Sequence, residues 1–88
     1  MSRKDKIVKR LLSLPKDFSW QELKVLLNAL GYKELKLGKT SGSRVAFYHD
    51  ELNHIVRLHK PHPESILKKY QLDLIIKELN SKGLLNER

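Results

Sequence analysis

Apolar residues recur with a helical period in three stretches, each lying between a start signal and a stop signal: residues 2–15, 19–31 and 63–83. Ser19 and Glu22 have the spacing of a capping box, in which each side chain accepts a hydrogen bond from the other residue's backbone N–H. The pattern predicts three amphipathic helices. In the third helix, the predicted apolar face consists of Ile66, Leu67, Tyr70, Leu74, Ile75 and Leu79.

Between the second and third helical stretches the apolar period changes to two. Leu35 and Leu37 alternate with charged residues, which predicts a short strand. The runs 44–49 and 54–59 are rich in β-branched and aromatic residues, and the polar residues 50–53 that separate them predict a hairpin. The order helix, helix, three strands, helix predicts an α+β fold, in which helices cover one face of a three-stranded antiparallel sheet.

Alternation along the predicted hairpin divides its side chains between two faces. One set is apolar and is predicted to face the helices: Val45, Phe47, Val56 and Leu58. The other set is predicted to point away from the helices: Arg44, Ala46, Tyr48, Ile55, Arg57 and His59. This open face would gather two guanidinium groups, a phenol and an imidazole, but a shift in register by one residue would reverse the assignment.

The length of 88 residues predicts a single domain over 1–88, with an additional N-terminal helix within 1–15 and a core over 19–82. The sequence has no cysteine and no apolar run long enough to span a bilayer. We therefore expect a cytoplasmic protein with no membrane partner and no disulfide.

The chain is strongly basic, with 18 Lys and Arg against 10 Asp and Glu and a net charge of +8. Residues 1–39 contain ten of the basic and four of the acidic residues. This balance favours a nucleic acid or an acidic protein as partner, although solubility alone also explains it. Four cations of the first helix are expected mainly on a solvated face, where some could extend a basic surface: Lys4, Lys6, Lys9 and Arg10.

Two motifs that suggest a bound cofactor are incomplete. The residues 38–40 read Gly-Lys-Thr, but the glycine that a phosphate-binding loop needs five positions earlier is replaced by Lys33, and a strand follows instead of a helix. His59 and His62 have H-x-x-H spacing, but the sequence offers no cysteine or carboxylate cluster to complete a zinc site. We expect neither a metal nor a small-molecule cofactor.

The residues of the open face suit RNA chemistry. A histidine titrates near neutral pH and can take the proton of a 2′-hydroxyl group, and arginine binds phosphate oxygens bidentately while staying charged. His59 with Arg44 and Arg57 is therefore a candidate active site. From the residues alone, binding of an RNA backbone without cleavage, or of an acidic protein, is equally compatible.

The stretch GYKELKLGKTSGSRVAFYH, followed by HIVRLHKPHPESILKKYQL, resembles the HicA family of bacterial toxins, small RNA-cleaving partners of HicB antitoxins. The resemblance covers roughly Leu23 to Leu74. It rests on several short motifs that occur in the same order as in the family: Leu30-Gly31-Tyr32, Gly42-Ser43 before a strand with Phe47, a strand ending at His59, a proline-rich link and Ile66-Leu67-Lys68. It implies a fold like that of double-stranded-RNA-binding domains, metal-independent cleavage of messenger RNA and a HicB-like antitoxin as partner.

The sequence departs from the family pattern at the start of the predicted hairpin. Family members usually carry G-S-H or G-G-H there, with a catalytic histidine, whereas this chain has Arg44, which cannot act as a base near neutral pH. Either the base has moved to His59 or His62, or the chain binds RNA without cleaving it. We predict His59 as the catalytic base and Arg44, with Arg57, as the groups that hold the phosphate. Tyr48 or His62 is predicted to assist. The predicted RNA-binding residues are Arg44, Tyr48, Arg57, Lys60 and Lys39.

Overall fold

The computed structural model describes residues 3–35, 44–61 and 65–85. The elements are α1 (Arg3–Leu12), α2 (Trp20–Ala29), β1 (Tyr32–Leu35), β2 (Arg44–His49), β3 (His54–His59) and α3 (Lys69–Ser81). The three strands form one antiparallel sheet in the order β1-β2-β3. The predicted α+β class, with a helix added at the N-terminus, is confirmed. None of the described helices has the length and apolar character needed to cross a membrane.

The predicted capping box fixes the start of α2. The hydroxyl oxygen of Ser19 accepts a hydrogen bond from the Glu22 N–H over 3.0 Å, and Glu22 Oε1 accepts one from the Ser19 N–H over 2.9 Å. At the other end, Gly31 takes a φ of +102°, and a Cβ at this position would lie 2.6 Å from Nε2 of His49. Only glycine therefore allows the chain to turn from α2 into β1 at this distance from the sheet.

Arg10 ties α1 to the start of α2. Its Nε donates to Glu22 Oε2 over 2.7 Å, its Nη2 donates to Asp17 Oδ1 over 3.0 Å, and its guanidinium lies over the Phe18 ring. The hydrogen bond from Arg10 is the main reason why the pKa of Glu22 is lowered. Arg10 thus has a structural role and does not extend a basic surface, in contrast to Lys4, Lys6 and Lys9, which are exposed.

The core lies between the sheet and the helices. Its buried residues include Phe18, Leu23, Phe47, Val56 and Leu58, so the predicted helix-facing side of the hairpin is confirmed. The remaining large members come from the three helices, from β1, from the residue Leu67 before α3 and from the residues after α3: Leu11, Trp20, Leu26, Leu27, Tyr32, Leu67, Leu72, Ile75, Leu79 and Leu85.

The third helix begins later than predicted. Residues 65–67 lie extended beside 18–20: the Trp20 N–H donates to the Ser65 carbonyl and the Leu67 N–H to the Phe18 carbonyl, each over 2.8 Å. Ile66 and Leu67 therefore lie outside the helix, and the predicted apolar face is only partly correct: Leu67, Ile75 and Leu79 are buried as predicted, whereas Tyr70 and Leu74 are not. Tyr70 is 68% exposed and Leu74 43% exposed. The buried face of α3 is completed by Gln71 and Leu72, which lie beside Ile75 and Leu79.

Candidate functional site

Helices α2 and α3 cover one face of the sheet, and the register of the strands arranges the opposite, open face into three rows of cross-strand neighbours. The first row is Arg44 and His59, the second is Leu35, Ala46 and Arg57, and the third, nearest the hairpin turn, is Lys33, Tyr48 and Ile55. Successive rows are two residues apart along each strand, which corresponds to about 7 Å.

The predicted cationic and imidazole groups come together on this face. Arg44 and His59 are direct partners in the register, and Arg57 lies one row further along β3. All three residues are exposed, and they line a pocket of about 450 Å³ at this end of the hairpin together with Val45 and Leu58, whose side chains belong to the helix-facing side. Two guanidinium groups and one imidazole at neighbouring positions of one sheet face are the kinds of group that bind a phosphate.

Ala46 departs from its predicted surroundings. It lies on the open face, as its pairing with Leu35 and Arg57 requires, but it is 0% exposed. Its neighbours two residues away along β2 are Arg44 and Tyr48, so a methyl group is surrounded by four larger side chains. The open face is therefore partly apolar at its centre.

Gln71 connects α3 to the end of β3, and sequence reasoning missed it. Its Nε2 donates to the backbone carbonyl of His59 over 3.0 Å, and its Oε1 accepts from the Lys68 N–H over 3.0 Å. The side chain is buried, with both ends of its amide hydrogen-bonded. The one signal in the sequence is a glutamine on the buried side of an apolar helix, which does not reveal its partner across the fold.

The other predicted RNA-binding residues are dispersed. Tyr48 lies in the third row, where its hydroxyl donates to Asn53 Oδ1 over 3.0 Å. Lys60 is exposed directly after β3. Lys39 and His62 lie outside the described residues, so the predicted assistance from His62 stays a prediction.

His49 and His54 have partners within the fold. His49 accepts from the Leu52 N–H at Nδ1 and donates to the Leu30 carbonyl from Nε2, over 3.2 and 3.0 Å. This pattern places the ring proton on Nε2. Of the histidines in the described part of the chain, His59 is thus the one on the open face, since His49 pairs with Tyr32 and His54 on the helix side.

His54 is the centre of a hydrogen-bonded chain that joins the sheet to α3. Its Nδ1 lies 2.6 Å from the Tyr32 hydroxyl, and its Nε2 lies 2.9 Å from Glu78 Oε1. Burial, followed by the charge of Glu78, raises the pKa of Tyr32. Across residues 3–35, 44–61 and 65–85, no three His, Asp or Glu side chains come together as a potential metal site.

The chain matches a protein-family model over most of its length. Residues 20–80 match a family described as the HicA toxin of bacterial toxin–antitoxin systems. The match begins at the first residue of α2 and therefore contains the whole sheet and its open face, while α1 lies outside it. Comparison with curated proteins and with solved structures gave no significant match.

Proposed function

The chain belongs to the HicA toxin family of bacterial toxin–antitoxin systems, and from that premise we propose that it is an endoribonuclease that cleaves messenger RNA. The proposed cleavage needs no metal ion and no cofactor. The proposed inhibitor is a HicB-like antitoxin, which covers the open face of the sheet. The observation that carries this proposal is the pairing of Arg44 with His59 beside Arg57.

In the proposed reaction, His59 takes the proton of a 2′-hydroxyl group. The 2′-oxygen then attacks the adjacent phosphorus and the bond from phosphorus to the 5′-oxygen breaks. The leaving 5′-oxygen takes a proton from water, and His59 releases its proton to solvent. The products are a 2′,3′-cyclic phosphate and a 5′-hydroxyl. Arg44 and Arg57 stabilise the negative charge that develops on the phosphoryl oxygens, and a general base of this kind contributes roughly 10²- to 10⁴-fold to the rate.

The register supports this assignment of roles. From the resemblance to the family, a histidine is expected at position 44. This position is the direct cross-strand partner of His59. Cβ atoms of direct cross-strand partners lie about 5 Å apart, so an imidazole at either position reaches the same space above the sheet. A guanidinium at position 44 then supplies phosphate binding beside a base that stands on the neighbouring strand.

The charges of the open face support an acidic antitoxin. Each row contains at least one basic side chain on this face: Arg44 in the first row, Arg57 in the second and Lys33 in the third. An inhibitor that covers these rows gains most if it presents carboxylates to them, because opposite charges steer association and fix its register. The same inhibitor would block access of RNA to His59.

The test is a cleavage assay in EDTA with an unstructured RNA and with a strand of the same sequence that lacks 2′-hydroxyl groups. We expect scission of the RNA alone, with 2′,3′-cyclic phosphate ends. His59→Ala and His59→Gln should abolish scission, while Lys69→Ala, which removes an exposed cation from α3, should retain it.

Two other outcomes of this assay would contradict cleavage of RNA by this chain. If the RNA stays intact but binds tightly in a salt-sensitive manner, the chain is an RNA-binding module without catalysis, as the arginine at position 44 would then indicate. If neither cleavage nor binding is seen, the open face does not act on RNA.

A further inference from the structure

The open face contains an apolar patch that the cleavage chemistry does not use. We define the apolar patch as Leu35, Ala46, Tyr48 and Ile55, which occupy neighbouring positions on the three strands. Leu35 is 39% exposed, and Tyr48 and Ile55 are half-buried. Ala46, although fully buried, does not belong to the core cluster on the other side of the sheet. The patch is therefore a separate apolar surface on the side that faces solvent.

Basic side chains flank the apolar patch on both sides. Lys33 is the neighbour of Tyr48 on β1, and Arg57 is the neighbour of Ala46 on β3. A ligand that matches this surface has negative charges at its edges and flat apolar groups between them. Single-stranded nucleic acid has this composition, because its bases are unpaired and each has an exposed aromatic face. In a duplex the same faces are stacked and unavailable.

We propose that the apolar patch is a subsite for an unpaired nucleobase of RNA, with Tyr48 as its stacking partner. The proposal rests on the proposed function in one respect, which is that RNA is the ligand of the open face. It goes beyond that function because it assigns a base-binding site separate from the site of phosphate chemistry.

The hydrogen bond of Tyr48 restrains its ring. The hydroxyl donates to Asn53, which lies in the hairpin turn and has a φ of +48°. A ring held at both its Cβ and its hydroxyl loses less rotational freedom when a base stacks on it, which improves affinity. Tyr48 is thus better suited to a stacking role than a freely rotating surface tyrosine such as Tyr70, which is 68% exposed on α3.

The spacing of the rows separates the base from the reacting phosphate. Tyr48 is four residues from Arg44 along β2, which corresponds to about 13 Å. The base on Tyr48 therefore belongs to a nucleotide other than the one whose phosphate lies between Arg44 and His59. Arg57 lies in the row between the two sites, on the side of the reacting phosphate.

The experiment measures the contribution of the bases to binding, separately from cleavage. Fluorescence anisotropy in EDTA would compare a 2′-O-methyl RNA strand, which has no free 2′-hydroxyl, with an abasic strand of the same length and with a paired duplex. We expect the wild-type protein to bind the base-bearing single strand about 5-fold or more tightly than the abasic strand. Tyr48→Thr should remove this preference and Tyr48→Phe should keep most of it.

Tyr70→Thr is the matched control and should keep the full preference, since Tyr70 lies on α3. If circular dichroism shows that Tyr48→Thr is unfolded, Leu35→Thr, at the exposed edge of the patch, should weaken the preference instead. Equal affinity of the wild-type protein for base-bearing and abasic strands would overturn the proposed base subsite. The proposed cleavage function would be unaffected, and the apolar patch would then be assigned to a contact with a protein. Retention of the preference in folded Tyr48→Thr would also overturn it. Failure to bind either strand would refute RNA as the ligand.

Discussion

Arg44 and His59 are direct cross-strand partners at the end of the hairpin that lies farthest from its turn. The resemblance to the family assigns the catalytic histidine to position 44, whereas this chain presents its imidazole from the adjacent strand. Side chains at such partners share the space above the same pair of backbone segments. The register therefore provides a physical route by which an imidazole and a guanidinium can exchange positions without a change of fold.

An exchange of the two residues tests this relationship. His59→Arg alone should lower the rate of RNA cleavage in EDTA by roughly 10²- to 10⁴-fold, since the base is lost. The double variant Arg44→His with His59→Arg should recover the rate to within about tenfold, because the imidazole then occupies the partner position. Initial rates under identical salt provide the measurement. A double variant no more active than His59→Arg would show that the two positions are not interchangeable.

Arg57→Ala should weaken RNA binding and make it less sensitive to salt. The loss of one phosphate contact is expected to cost about 1 kcal/mol and to reduce the slope of log K against log salt by about 0.7. Binding isotherms at several salt concentrations measure both quantities. Lys77→Ala, which removes an exposed cation from α3, is the control and should change neither. An unchanged slope in Arg57→Ala would exclude a contact between Arg57 and phosphate.

Gln71→Leu should destabilise the protein and impair catalysis together. The variant leaves the His59 carbonyl and the Lys68 N–H without their partner, at a cost of about 1–3 kcal/mol in the free energy of unfolding. We expect kcat to fall while KM for RNA changes little, because the end of β3 that carries His59 is no longer held. Asn80→Leu, an exposed amide on the same helix, is the control. A stability loss with unchanged kcat would limit Gln71 to a structural role.

The decrease in the free energy of unfolding at alkaline pH should depend on Tyr32. Its pKa in the folded state is raised above the usual value of 10.0, so the unfolded chain loses the phenolic proton first. The contribution of the protonated Tyr32 to the free energy of unfolding is thus fully present below about pH 10. It is lost as the pH rises through the pKa of Tyr32 in the folded protein.

Urea unfolding of wild type and Tyr32→Phe, from neutral pH to above pH 10, measures this effect. Tyr32→Phe should be less stable at neutral pH by about 1 kcal/mol, because His54 loses a hydrogen-bond partner. The difference between the two proteins should shrink as the solution becomes alkaline. Tyr70→Phe should follow the wild-type curve, and a constant difference for Tyr32→Phe at every pH would contradict the assignment.

Patterns of neighbouring residues in the sequence were sufficient to predict the order of the elements and the two faces of the hairpin. Alternation over 44–49 and 54–59 determines which side chains share a face once the connecting residues set the register, and the register places Arg44, Arg57 and His59 together as predicted. The capping box at Ser19 was equally legible, because both of its partners lie within one helical turn.

The errors and omissions share a different cause. The late start of α3 depends on pairing between 65–67 and 18–20, residues that are far apart in the sequence. Because that pairing keeps Ile66 out of the helix, the buried side of α3 is centred on Leu72, Ile75 and Leu79, and Tyr70 is exposed. The hydrogen bond from Gln71 to the His59 carbonyl likewise joins two different elements, α3 and β3. The residue pattern within either element therefore does not predict it.

The complete burial of Ala46 has a consequence for the discrimination of ligands by size. Ala46 lies between Leu35 and Arg57 in the middle strand and is 0% exposed, so there is no free space around its methyl group for a larger side chain. A larger side chain there would push these neighbours apart without adding or removing a charge. Position 46 is therefore where substitution could alter which molecules fit the sheet surface while its electrostatic attraction stays the same.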